Sequence, residues 1–373
     1  MAPLPRPNPN PNPNPNLSLL RCAYLSCPLS SAVARRKIPS SSAPDPARPR
    51  PACPGFFRAI RRDLAPWRRA RISAALLEDA RRRAAMRVVV AGGGRRLFVD
   101  LYYACVQSRA LFTVWGILQL MRRYPGILPD ADLMFDCMDR PAINRSDYRS
   151  DVGGGIDDPN APIPPPLFRY CTTKDHFDIP FPDWSFWGCY KIYAEGYAWS
   201  VSLKYILSCG SLAFVVDPQY EDFFSRGLVP KENYWPVSSA DLCRSIKSAV
   251  DWGNAHPSQA EAIGKRGQKL MQDLDMDRVY DYMYHLIVEY SKLLDFKPTP
   301  PPSAQEVCVD SLLCVADEQQ RQFLERSAAS PSPTYPCTLP PPSFDSERRL
   351  SKRLQKVRSG RREERTRQAE SAA

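Results

Sequence analysis

Two periods of hydrophobic and polar positions alternate between residues 72 and 295. Ile72 to Ala85 ("ISAALLEDARRRAA") places apolar residues at helical spacing behind Ser73, a side chain suited to cap a helix. "MRVVVAGGGRRLFVDLY" reads as strand, glycine turn, strand. Its triple glycine lacks G-x-G-x-x-G spacing and precedes a strand, so the pattern predicts a hairpin rather than a phosphate loop. In "RALFTVWGILQLMRRYPG", Phe112, Trp115, Leu118 and Met121 share one helix face. Arg122 and Arg123 suit the C-terminal end of that helix, and Pro125-Gly126 stops it.

Leu133 to Phe135 reads as a buried strand, with Asp139 just past its end. Residues 144–166 are acidic and rich in Gly and Pro, hence a loop. Next come a helix from Tyr197 to Leu207, ended by Cys209-Gly210, and a buried strand "SLAFVV". Three helices follow: Ala240 to Trp252, Pro257 to Leu274 with proline at its first position, and Met276 to Leu294. In the last, Val279, Met283, Leu286, Ile287 and Tyr290 form a packing face. Strands alternating with helices define an α/β protein.

Composition limits where this pattern applies. Residues 1–52 are dominated by Pro, Ser, Asn and Arg, and residues 328–373 are Pro-rich and then basic. Such segments bury too little apolar surface to offset their ordering entropy, and both are expected to be disordered. The basic excess lies in residues 1–90, with 17 Lys/Arg against 4 Asp/Glu, and in residues 345–373, with 10 against 5, so residues 91–344 are mildly acidic. No base-stacking aromatics interleave with the basic tail, which argues against a specific nucleic-acid site. No apolar run of about 18 residues predicts a membrane span. Leu17 to Lys37 has a short apolar part broken by Arg21, a poor signal peptide and equally a transit-like segment. Twelve cysteines without zinc-type pairing point to disulfides and an oxidising compartment, with Cys53, Cys171, Cys308 and Cys314 as candidates.

Several residues carry possible chemistry. In open α/β sheets ligands gather at the carboxyl ends of strands, which makes Asp139 a candidate general base. Asp130 and Asp132 form a D-x-D, a metal-binding pattern in some sugar transferases, but they precede the strand and so lie at its wrong end. His176 stands between Asp175 and Asp178, as an acid–base pair would. Trp184, Phe186 and Trp187 suit either a sugar-stacking surface or a core. Gly196 opens a helix whose free N–H groups can hold a phosphate, with Ser200, Ser202 and Lys204 adding donors and charge. Asn144 begins a glycosylation sequon.

Six stretches occur in a telling order: "CPGFFRAIRRDLAPW", "FTVWGILQLMRRYPGILPDADLMFDCMDRP", "PDWSFWG", "YKIYAEGYAWSVSLKYILSCGSLAFVV", "DFFSRGLVPKENYWPV" and "AVDWGNAHPSQAEAIGKRGQKL". Together they resemble plant members of the Rumi-type protein O-glucosyltransferases, also called capsule-associated or lipopolysaccharide-modifying glycosyltransferases. The resemblance implies a GT-B-like arrangement of two Rossmann-like domains, here with the second incomplete. It also implies an inverting, metal-independent transfer of glucose or xylose from UDP-glucose or UDP-xylose to a protein or polysaccharide hydroxyl, in the lumen of the ER or Golgi. Asp139 matches the family's base, and Gly196, Tyr197, Ser200, Ser202 and Lys204 match its nucleotide-holding helix. Trp184 and Trp187 would line the sugar site. An arginine used on this helix in the animal enzymes is matched here by Ser202.

In that family "PDWSFWG" and "YKIYAEGYAWS" are separated by a long block that begins the second domain. Here Gly188 joins Cys189 directly. The expected division is therefore 53–188 for the first, acceptor-side domain and 189–327 for a partial nucleotide-sugar domain. The second part shows one clear strand, and a lone strand leaves its backbone groups unpaired. It must borrow partners or remain incomplete.

Overall fold

The computed structural model describes residues 44–105, 109–148, 162–182 and 202–341. The chain enters through α1 (Ala59–Asp63), α2 (Trp67–Ala70) and α3 (Ala74–Arg81). Ser73 caps α3 by accepting the Leu76 N–H at 3.1 Å. The strand–glycine–strand pattern is a hairpin: β1 (Met86–Ala91) pairs antiparallel with β2 (Arg96–Leu101) from Met86↔Leu101 to Ala91↔Arg96. Gly94, at φ +72°, makes its tight turn, and a Cβ there would lie 2.5 Å from the Leu128 carbonyl oxygen.

After α4 (Arg109–Arg123), β3 (Ala131–Phe135) returns to pair antiparallel with β1 on its other side. Then come β4 (Phe168–Arg169), β5 (Cys171–Thr172) and β6 (Ile179–Pro180). The second half holds α5 (Ser202–Ser208), β7 (Phe214–Val216), β8 (Glu221–Asp222), β9 (Trp235–Val237), α6 (Leu242–Ala255), α7 (Pro257–Asp273) and α8 (Met276–Ser291). The chain closes with β10 (Gln305–Val307), α9 (Val309–Val315) and α10 (Glu318–Arg326). The main sheet has the order β10-β2-β1-β3-β4-β6. It is mixed: β3, β4 and β6 run parallel, while β1 and β10 run against β2. Because β2 and β3 both oppose β1, the strands β2, β3, β4 and β6 all deliver their C-termini to one end.

One core spans both halves of the sequence. Val88, Val90, Leu133, Phe135 and Phe168 from the sheet meet Trp115 of α4 and Leu286, Ile287 and Tyr290 of α8, all nearly or fully buried. The Tyr290 and Phe168 rings lie 4.9 Å apart, edge to face. Arg226, buried, pairs with Asp63 of α1 and donates to the Tyr282 hydroxyl of α8 at 3.2 Å. Burial pushes the Tyr282 hydroxyl up to about 12.

The second half contains more strand than its pattern predicts. "SLAFVV" contributes three residues, and β7 finds a parallel partner in β9, Phe214↔Trp235 to Val216↔Val237. β9 contains Pro236, which removes a ladder donor and disguises the segment as loop. β8 pairs with β5 across the two halves, Cys171↔Asp222. Leu203 and Leu207 of α5, Val215 and Tyr234 form a small core of this unit. In α7, Gly264 and Gly267 admit close backbone contact: added Cβ atoms would lie 2.5 Å from the Gly210 oxygen and 2.6 Å from the Asn233 oxygen.

Parts of the flanks assigned to disorder by composition are held in place. The Asp45 N–H donates to the Pro333 carbonyl at 3.1 Å, and Ala52 bridges Thr338. Arg61 donates to the Pro340 carbonyl at 2.6 Å. A disulfide joins Cys53 to Cys337, 284 residues away, and a second joins Cys105 to Cys137. Composition misses these segments because a long-range crosslink and backbone hydrogen bonds hold them, with Ala328, Ala329 and Leu339 packed against the core. Of the other candidate cysteines, Cys314 is disulfide-bonded, Cys171 is a buried thiol outside any disulfide, and the Cys308 side chain takes part in the capping box of α9.

Leu286→Ala is expected to cost about 2–5 kcal/mol of stability by opening a cavity. The same change at Leu242, 42 % exposed on α6, should cost little. Equal losses in urea denaturation would mean that α8 does not dock on the sheet. His285 gives a pH signature. Its Nε2 lies 2.6 Å from the Cys337 carbonyl oxygen, and burial lowers its pKa in the fold. The unfolded chain therefore takes up a proton below about pH 6.5 before the fold does. Stability should be intact above that pH and fall as the pH drops toward the folded-state value, and His285→Gln should flatten the fall.

Candidate active site

The loops after β2, β3 and β4 meet at one end of the sheet. The Asp136 carboxylate, buried at the end of β3, gathers them. Tyr103, after β2, donates its hydroxyl to Asp136, and the Met138 N–H donates to the same oxygen at 3.2 Å. Arg169, the last residue of β4, pairs with Asp136 and lies 3.5 Å from Asp178 beyond. Asp178 accepts the N–H groups of Ala142 at 2.9 Å and Ile143 at 3.0 Å. Burial lowers the Arg169 pKa and raises that of Asp178, and each charge opposes the other's shift. The Cys105–Cys137 disulfide ties the β2 and β3 loops together.

Asp139 stands on this braced platform, where α/β ligand sites form. Its side chain is 47 % exposed, and its Oδ1 lies 2.7 Å from Nη1 of Arg109. The same nitrogen donates to the Cys137 carbonyl at 2.7 Å. Arg109 is buried although it opens α4. The Asp139 carbonyl accepts the Cys171 thiol at 3.1 Å, and burial pushes that thiol up, away from the reactive thiolate. The arrangement presents one accessible carboxylate on a rigid base.

The other candidate residues separate into structural and undescribed. Asp130 precedes β3 at the opposite end of the sheet, whereas Asp132 lies within β3. Asp130 accepts the Gly93 N–H at 2.7 Å, and buried Asp132 is held by Arg87 through bonds of 2.8 and 2.6 Å. His176 Nδ1 sits 2.6 Å from the Thr173 hydroxyl, while Asp178 faces Arg169 and the backbone, so no acid–base pair forms there. Ser202 is buried, and Lys204 Nζ lies 5.0 Å from the Tyr205 ring centre and 5.7 Å from that of Phe224. Trp184, Trp187, Gly196, Tyr197 and Ser200 lie outside the described residues.

Arg109, Tyr103 and Arg169 escape a reading of sequence. Arg109 does leave one signal: a cation in the first turn of a helix opposes the helix dipole, which implies a tertiary partner. Arg169 sits in the apolar run "LFRYC", where an arginine must be paired.

The chain matches glycosyl transferase family 90 over residues 48–189 and 189–369, and it belongs to that family. The two matched segments meet at Cys189, where the sequence joins two motifs without a linker. It is 35 % identical to Protein O-glucosyltransferase 1 of Rattus norvegicus over 106 residues, which is 28 % of this chain and 26 % of the relative. The same protein of Homo sapiens is 33 % identical over 106 residues, with the same shares. O-glucosyltransferase rumi of Drosophila melanogaster is 28 % identical over 107 residues, again 28 % of this chain and 26 % of the relative. The matches thus span about a quarter of these relatives' length. Among the described residues no helix is long and apolar enough to cross a membrane.

Removing the cation of the buried network should be costly. Arg169→Met leaves Asp136 and Asp178 buried without it, with an expected loss of about 3–5 kcal/mol. A loss under about 1 kcal/mol in urea denaturation would mean that water already reaches these carboxylates.

Proposed function

We propose that the chain is built as an inverting glycosyltransferase that moves glucose or xylose from a UDP-sugar to a hydroxyl of a protein or polysaccharide acceptor. The observation that carries this reading is Asp139, an accessible carboxylate fixed at the strand ends of a family 90 fold. Asp139 takes the acceptor proton as its oxygen attacks the sugar carbon. We assign the departing diphosphate to the residues that match the family's nucleotide-holding segment, Gly196, Tyr197, Ser200, Ser202 and Lys204. Trp184 and Trp187 line the sugar site. No metal is required, because positioning and hydrogen bonding stabilise the leaving charge. The lumen of the ER or Golgi is the matching compartment, and the Cys53–Cys337 and Cys105–Cys137 disulfides suit it.

We propose a GT-B-like plan with a Rossmann-like acceptor-side domain over 53–188 and a partial nucleotide-sugar domain over 189–327, whose α8 and β10 return to the core and sheet of the first part. Two observations support a shortened second domain. The family match breaks at Cys189. The small parallel unit leaves Phe214, Leu242, Ile246 and Val250 between 37 % and 42 % exposed, an apolar surface of the kind that further elements cover. The same break favours a second reading, in which the chain keeps the acceptor-side surface but binds no donor and transfers little or nothing.

Thermal melting of the full chain with and without millimolar UDP separates the two. A raised melting temperature is expected, since a ligand that binds only the native state stabilises it. An unmoved melt would leave the second reading standing. In any preparation that transfers sugar, Asp139→Asn should lower the rate about 100-fold or more, the range of general-base contributions. Transfer at the parent rate would remove Asp139 from the mechanism.

A further inference from the structure

We infer that Arg109 is the positioning residue for Asp139, holding the carboxylate in the orientation from which it meets an acceptor hydroxyl. The inference rests on the reading of Asp139 as the base and deepens it. A carboxylate 47 % exposed on a loop has more than one staggered rotamer open to it unless a partner selects one. Arg109 removes that freedom. Its guanidinium is 6 % exposed, and one nitrogen holds two groups of the same loop, the Asp139 carboxylate and the Cys137 carbonyl, each at 2.7 Å. The backbone of Arg109 is fixed in turn: its carbonyl lies 3.4 Å from the Tyr170 hydroxyl, which contacts the Thr113 hydroxyl at 2.9 Å. The Cys105–Cys137 disulfide fixes the loop from the other side. The cation takes Oδ1, and the exposure that remains is the face open to substrate. A charge-assisted bond from a buried, immobile donor is directional in a way that a pair between two exposed side chains is not.

Chemical labelling tests this without depending on turnover. Carboxylates of the folded chain are coupled to glycine ethyl ester with a water-soluble carbodiimide, and the peptides are quantified by mass spectrometry. Asp241, whose side chain is 55 % exposed beside exposed Arg244, is the internal reference. In the parent protein Asp139 should react more slowly than Asp241. Arg109→Gln should raise the Asp139 rate several-fold with Asp241 unchanged, and Arg109→Lys should return it part of the way. Equal Asp139 rates in the parent and a folded Arg109→Gln variant would overturn the inference.

Should Arg109→Gln not fold, the reciprocal experiment decides. Asp139→Ala alters an exposed side chain and should open Arg109 to an arginine-selective dicarbonyl several-fold; unchanged Arg109 labelling would equally overturn it. The two levels fail separately. Labelling that ignores Arg109, with transfer lost in Asp139→Asn, removes only the positioning role. Normal transfer in Asp139→Asn removes the base, whatever the labelling reports.

Discussion

Arg169 is the charge on which one end of this molecule depends. Its guanidinium lies in the interior between two buried carboxylates, Asp136 and Asp178, that belong to different connections. Through Asp136 it secures Tyr103 and the backbone at Met138, and through Asp178 it secures the backbone at Ala142 and Ile143. Three loops that would otherwise move separately are bound to one cation. Its cost in desolvation is met by two anions and their own hydrogen bonds, the condition under which a buried ionic network is tolerated. Asp139 lies in the same connection as Met138, Ala142 and Ile143, which this network secures.

A second buried pair joins the halves of the chain. Arg226, from the turn after β8, reaches Asp63 on α1 and Tyr282 on α8. With β5 paired to β8 and α8 packed on the main sheet, the late helices complete the core of the early strands. The small β7–β9 unit is different. It has its own modest core, and Leu242, Ile246 and Val250 of α6 stay partly exposed beside it.

Legibility in the sequence followed the range of the interactions involved. The hairpin at Gly92 to Gly94, the Ser73 cap and the packing face of α8 depend on residues a few positions apart, and the pattern predicts them. Asp130 falls before β3 as strand direction predicts, but Asp132 lies inside the strand, held by Arg87. β9 was hidden by Pro236, because its pairing with β7 is set by tertiary context rather than by alternation. The Cys53–Cys337 crosslink could not be read, since spacing carries no connectivity across 284 residues.

By itself the sequence determined the α/β class, the helices and the central hairpin, the family resemblance, and Asp139 as the residue to watch. These rest on local periodicity, turn chemistry and ordered motifs. The tertiary structure decided what surrounds Asp139. Arg109, 30 residues earlier by position, and Tyr103 and Arg169 meet there only because β2, β3 and β4 end on the same side of one sheet. The pairing of charges across that end depends on distances of about 3 Å, set by strand order and helix packing, and no local pattern of residues encodes them.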